Sequence, residues 1–160
     1  MMKYRMYGMV NYQMTGIQKG IQFGHAVVEY SLLYQNQVDY VQWSTNDKTF
    51  IILDGGTTNL NVTSLGTLNK AADYAEKELN IPIARFHEPD LGDQLTSFVF
   101  LVDERVWDKE KYPDFIQTNW GGMADQEYDK YLLDLFNNLD TGKNIMSIRN
   151  WIRGFKLATN

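Results

Sequence analysis

The chain has 160 residues, 44% of them hydrophobic and 14% aromatic, with a formal net charge of −5, two histidines and no cysteine. That is enough apolar material for one packed core. The missing thiols exclude disulfide frameworks, thiolate nucleophiles, iron–sulfur clusters and cysteine-based zinc sites. With only His25 and His87 present, a multi-histidine metal site is not expected either, and no cofactor is implied. No window approaches 18 consecutive apolar residues, and the opening MMKYRMYGMVNY has no apolar run of signal-peptide length, so the expectation is a cytoplasmic protein with no membrane partner.

In chain order, Tyr4 to Tyr12 mixes aromatic residues, Met and Val and reads as a first strand. A loop around Thr15 and Gly16 leads into a helix from about Gln18 to Tyr34. Ile17, Ile21, Gly24, Val28 and Leu32 share one stripe of it, read as the face that packs on a sheet. Gln18, Gln22, His25 and Glu29 form a polar stripe beside it, and Lys19 leaves on a third side. Thr49 to Asp54 is a short strand, and the Gly55–Gly56 pair after it reads as a turn. A second helix, capped by Thr63 or Ser64, keeps Leu68, Ala71, Ala72, Ala75 and Leu79 on one face. Ile81 to Phe86 and Thr96 to Asp103 follow as strands around the polar loop HEPDLGDQL. The order β, α, β, α, β, β implies an α/β sheet with a tight reversal between its last two strands.

Beyond Trp107 an acidic stretch precedes a helix over Gln126 to Leu139, with Asp140 to Lys143 read as its stop. A last segment puts Ile145, Ile148, Ile152 and Phe155 on one face, with Arg149, Arg153 and Lys156 mostly off it. Residues 1–100 carry 7 bases and 10 acids, residues 101–141 carry 4 and 10, and residues 142–160 carry 4 and none. The basic tail has two readings, an RNA-facing helix or a structural helix with solvated charges, and its full apolar face favours the second. Residues 1–104 are read as the α/β domain and 105–160 as a helical extension packed on it.

The sequence lacks GxxxxGK[ST], GxGxxG after the first strand, HExxH and GxSxG. What stands out is KGIQFGHAVVEY at the start of the first helix and EPDLGDQLTSFVFLV entering the last strand. Together these resemble the type 2 peptidyl-tRNA hydrolases over about residues 4 to 104, with Gln22, His25 and Ala26 at the spacing of the family's Gln-x-x-His-Ala helix. The resemblance implies a three-layer α/β/α fold with a four-stranded mixed sheet. It also implies cleavage, without metal or covalent intermediate, of the ester joining a peptidyl or N-blocked aminoacyl group to the 3′ end of tRNA. On that resemblance Lys19 supplies electrostatic stabilisation, Glu88 and Asp90 orientation or proton relay, and Thr96 a hydroxyl for water or ribose; Gln18, Gln22 and His25 bind substrate. The family lysine lies seven residues before the helix histidine, where this chain has Gln18. The expected partner is tRNA or another RNA 3′ end, with a homodimer as a further arrangement. The alternative is a non-catalytic module of the same fold that docks a protein, nucleotide or RNA through the extension.

Overall fold

The computed structural model describes residues 1–58, 65–116 and 124–159. The chain forms two compact units, one of Met1–Asp103 with Phe155–Asn160 and one of Glu104–Gly154. Residues 155–160, taken with the extension in the sequence reading, belong to the first unit: the Asp54 N–H donates to the Lys156 carbonyl and the Ala158 N–H to that of Ile52, both at 2.9 Å.

The first unit is an α/β fold. Strands β1 (Tyr4–Asn11), β2 (Thr49–Gly56), β3 (Ala84–Glu88) and β4 (Gln94–Asp103) make one mixed sheet in the order β2-β1-β4-β3. β1 and β2 run parallel, and β4 runs antiparallel to both its neighbours. The register sets Asp54, Val10, Ser97 and Phe86 in one row across the sheet. Parallel pairing of β1 with β2 requires a crossover, here α1 (Gly16–Tyr34), α2 (Val38–Gln42) and a π-helical turn, Trp43–Asp47. Antiparallel β3 and β4 need only the short turn Pro89–Leu91, after which Gly92 and Asp93 take left-handed φ values of 67° and 59°.

Strand alternation gives each face of the sheet its own helix. Met6, Val10, Val99 and Leu101 pack with Phe23, Ala26 and Tyr30 of α1, and a Cβ at Gly8 would run into the Phe23 ring. Burial, with the Asp39 charge adding to it, pushes the Tyr30 hydroxyl above its ordinary range and keeps it neutral. On the other face, a Cβ at Gly55 would meet Leu68 of α3 (Thr67–Lys77). Gly55 and Gly56 are thus the end of β2, with Gly55 skipped in the pairing to β1.

α3 buries Leu68, Ala71, Ala72 and Ala75, as its periodicity implies, and Leu79 beyond it is buried too. Its N-cap is Gly66, without a side-chain hydrogen bond; Thr63 and Ser64 lie outside the described residues. α1 corrects the sequence reading. Ile17, Ile21, Val28 and Leu32 are exposed, and the sheet-facing side is Lys19, Gln22, Phe23, Ala26 and Tyr30. Phe23 and Tyr30 are the large aromatic anchors over this face of the sheet, and the polar residues beside them, Lys19 and Gln22, find hydrogen-bond partners there.

The second unit comprises α4 (Glu104–Trp107), α5 (Ala124–Phe136) and α6 (Leu139–Arg153). Asp140 to Lys143 do not stop α5; they lie in α6. The break comes earlier, at left-handed Asn137 (φ 61°) and at Asn138, whose side chain caps α6 by accepting from the Thr141 N–H at 2.9 Å. Gly142 lets α6 approach Leu132 and Phe136 of α5 closely. Arg149, expected off the packed face, is 2% exposed. It donates through Nε to the Val106 carbonyl (2.9 Å) and through its terminal nitrogens to the Arg105 carbonyl (2.6 Å) and Asp114 (3.2 Å). Arg153 reaches the same Asp114 oxygen at 2.6 Å. These hydrogen bonds, that from Arg153 foremost, hold the Asp114 carboxyl below the usual carboxylate range.

Candidate functional site

The site begins where α1 begins. Thr15 closes a capping box with Gln18: its hydroxyl accepts from the Gln18 N–H (3.2 Å) while the Gln18 amide oxygen accepts from the Thr15 N–H (3.1 Å). Gln18, expected to bind substrate, therefore has its carbonyl committed to the cap and is exposed. The Lys19 N–H already bonds the Thr15 carbonyl at 2.9 Å, so Lys19 is wholly helical. Its side chain points to the sheet, on the same face as Gln22, three residues and about 4.5 Å further along the axis. In this helix position 18 faces out and position 19 faces in.

Lys19 is 4% exposed. Its ammonium donates to Asp54 Oδ1 at 2.8 Å and to the Thr159 carbonyl oxygen at 2.7 Å. A buried ammonium without such acceptors would be strongly destabilising; here two of its three donors meet an anion and a carbonyl. The carboxylate that orients the lysine is thus Asp54, rather than Glu88 or Asp90. Beside Lys19 lies a cavity of about 510 Å³, lined among others by Gly16, Ile17, Gly20, Ile52 and Ala158.

A second group forms toward β3 and β4. The Thr96 hydroxyl donates to Gln22 Oε1 at 2.6 Å, and Gln22 Nε2 donates to Glu88 Oε2 at 2.8 Å. Thr96 and Gln22 are buried. The pairing explains how Thr96 comes to reach α1: Phe86 pairs with Ser97 and His87 with Leu95, so Thr96 is skipped. A bulge of this kind turns two successive side chains toward one face of the sheet. Ser97 Oγ, next in the chain, is buried without a hydrogen-bond partner among the described residues.

The structure therefore brings Gln22, Glu88 and Thr96 into one hydrogen-bonded chain and puts Lys19 one turn away on the same helix face. Asp90 and His25 stay outside it. Asp90 is exposed and linked to Glu88 by its backbone N–H alone, at 3.3 Å; the exposed His25 ring stacks on Phe86 with centroids 4.5 Å apart. Sequence reasoning missed Asp54, together with a neutral cluster at the same end of the sheet in which Asn11 Nδ2 donates to the buried Thr58 hydroxyl at 3.0 Å and Gln94 Nε2 to the Thr58 carbonyl at 3.1 Å. The local signal for both was a polar residue at a strand end. Among the described residues no group of three or more His, Asp or Glu could hold a metal ion, and no helix is long and apolar enough to cross a membrane. Compared with known proteins, the chain matches no family model and no curated sequence.

Proposed function

We propose that the protein hydrolyses the ester joining an N-blocked aminoacyl or peptidyl group to an RNA 3′ end. The observation that carries this reading is the contact of a buried lysine with a carbonyl oxygen, Lys19 Nζ to Thr159 O at 2.7 Å, one helical turn from a carboxylate held by Gln22. Ester hydrolysis needs a preorganised charge for the oxyanion and a base for the attacking water. The ester carbonyl takes the place of the Thr159 carbonyl on Lys19, and Asp54 keeps the ammonium aimed. Glu88 has lone pairs left beyond those that accept from Gln22 Nε2 and the Asp90 N–H; these accept the water's proton as it adds to the acyl carbon, and the proton passes to the ribose oxygen as the acyl–oxygen bond breaks. Thr96 acts through Gln22 as a positioning residue. The site is acidic around one neutralised lysine, so recognition rests on the acylated ribose rather than on phosphate.

The order β2-β1-β4-β3 in a mixed sheet under a helix on each face supports the same reading, because it agrees with the fold that the Gln22–His25–Ala26 resemblance implies. The test is ester release from N-acetyl-aminoacyl-tRNA by purified protein. Activity that falls at least about 100-fold in Lys19→Met and about 10-fold or more in Glu88→Gln is expected from the usual size of electrostatic and acid–base contributions. Release no faster than from the Lys19→Met variant would overturn the hydrolase reading and leave the binding module.

A further inference from the structure

The outward face of α1 is unusual for a surface helix. Ile17, Ile21, Val28 and Leu32 are 79%, 52%, 58% and 66% exposed, and Gly24 lies among them. A Cβ added at Gly20 or Gly24 would meet nothing within 4 Å. Glycine inside a helix costs about 1 kcal/mol relative to alanine; Gly20 lines the cavity beside Lys19, whereas nothing in the packing of the described residues uses the missing side chain of Gly24. Small residues on an exposed helix serve where a second backbone comes close.

The stripe is self-complementary about Gly24. Ile21 lies three residues before it and Val28 four after; Ile17 lies seven before and Leu32 eight after. An antiparallel crossing of two such helices on a two-fold axis at Gly24 therefore sets Ile21 against the partner's Val28 and Ile17 against the partner's Leu32, with both backbones admitted by glycine. Charge agrees with self-pairing. The only Lys, Arg, His, Asp or Glu residues of α1 are Lys19, His25 and Glu29; Lys19 is buried on the opposite side, and the other two lie about 100° or more round the helix from Gly24, so no like charges face each other. The same lack of cations makes the face a poor match for nucleic acid or an anionic membrane surface.

We infer that α1 is the dimer interface, its occupant a second copy of this chain. The four aliphatic residues and two glycines expose roughly 600 Å² per copy, so a pair buries at most about 1,200 Å², the lower edge of a standard interface. An interface of that size is of the weak, reversible kind, so association is expected only at high protein concentration; Ile17 also lines the cavity beside Lys19, and the test therefore reads association state rather than activity.

Sedimentation equilibrium of the full chain at up to about 300 µM tests this. The expected result is a monomer–dimer equilibrium that persists or tightens as salt screens the net charge of the two copies. Ile21→Glu with Val28→Glu should leave a folded monomer at every concentration, its circular dichroism unchanged because both positions are exposed. The chain has no cysteine, so Gly24→Cys supplies a single thiol at the proposed axis; under a mild oxidant it should form a disulfide-linked dimer, while Lys77→Cys on α3 should not. A monomer at about 300 µM, a dimer indifferent to the two glutamates, or equal cross-linking of the two cysteine variants would each overturn the inference.

Discussion

α3 covers its face of the sheet with a leucine and three alanines, whereas α1 covers the other with Phe23, Ala26 and Tyr30 and adds Lys19 and Gln22 to the same buried side. Both helices follow the same 3.6-residue arithmetic, and they differ in what the sheet offers them. Opposite α3 the sheet presents Met9 and Gly55, which ask only for close packing. Opposite α1 it ends in Asp54, Glu88 and Thr96, which supply the acceptors and the donor that let a lysine and a glutamine face inward. A polar side chain belongs to the interior when its partners are built in, and a stripe of aliphatic residues is then released to the surface.

The largest expected effect lies in the aromatic anchors. Phe23→Ala should cost about 3–5 kcal/mol and Leu68→Ala about 2–5 kcal/mol in urea unfolding, against no more than about 0.5 kcal/mol for Ile17→Ala; a costly Ile17→Ala would reverse the assignment of the α1 face. Next comes the buried ion pair. Asp54→Ala, which strands the ammonium against the Thr159 carbonyl alone, should cost about 3 kcal/mol, and adding Lys19→Met should recover much of the loss. The Gln22 chain is smaller: Thr96→Val and Gln22→Leu should each cost about 1–2 kcal/mol and together less than their sum.

Gly24→Ala should raise monomer stability by about 1 kcal/mol, because no neighbour resists the new Cβ, and should weaken self-association at the same time. The smallest effect carries the comparison to α6, where Arg149 is another buried cation. The Asp114 carboxyl is lowered in the folded state, so its contribution is present above the unfolded value of about 4 and disappears as pH falls through the folded one. Asp114 is nearly half exposed, so the deficit of Asp114→Asn should be no more than about 1 kcal/mol at pH 7 and should shrink progressively in acid-unfolding curves as pH falls below about 4.

β1, β4 and α3 were legible because their apolar spacing and their burial coincide; the strand read at Ile81 to Phe86 came too early, because Ile81 and Ile83 are buried ahead of β3, which runs through His87 and Glu88 where a loop was expected. α1 was not, since its inward face reads Lys-x-x-Gln-Phe-x-x-Ala, a mixture that periodicity ranks below Ile17, Ile21, Val28 and Leu32. What licenses Lys19 to turn inward is distant: Asp54 is 35 residues away and Thr159 is 140. Thr96 was singled out on the family resemblance, but its position depends on a skipped residue that strict alternation does not encode. The misplaced break before α6 has a local cause. Gly142 reads as a helix stop, yet it serves close packing, while the consecutive asparagines 137 and 138 carry the left-handed turn and the cap.

The strip of chain around Leu157 that lies along β2 gives the sheet a late step in its making. β1, α1, β2 and β4 are all synthesised before residues 104–154, and only after that unit has emerged can Lys156 and Ala158 meet Asp54 and Ile52. Until then β2 has an open edge able to pair with another chain, and Lys19 lacks one of its two acceptors. Closing that gap bridges the whole second unit, a loop whose entropy cost grows only slowly with its length. The nascent sheet is therefore most exposed to mispairing while residues 104–154 are being made.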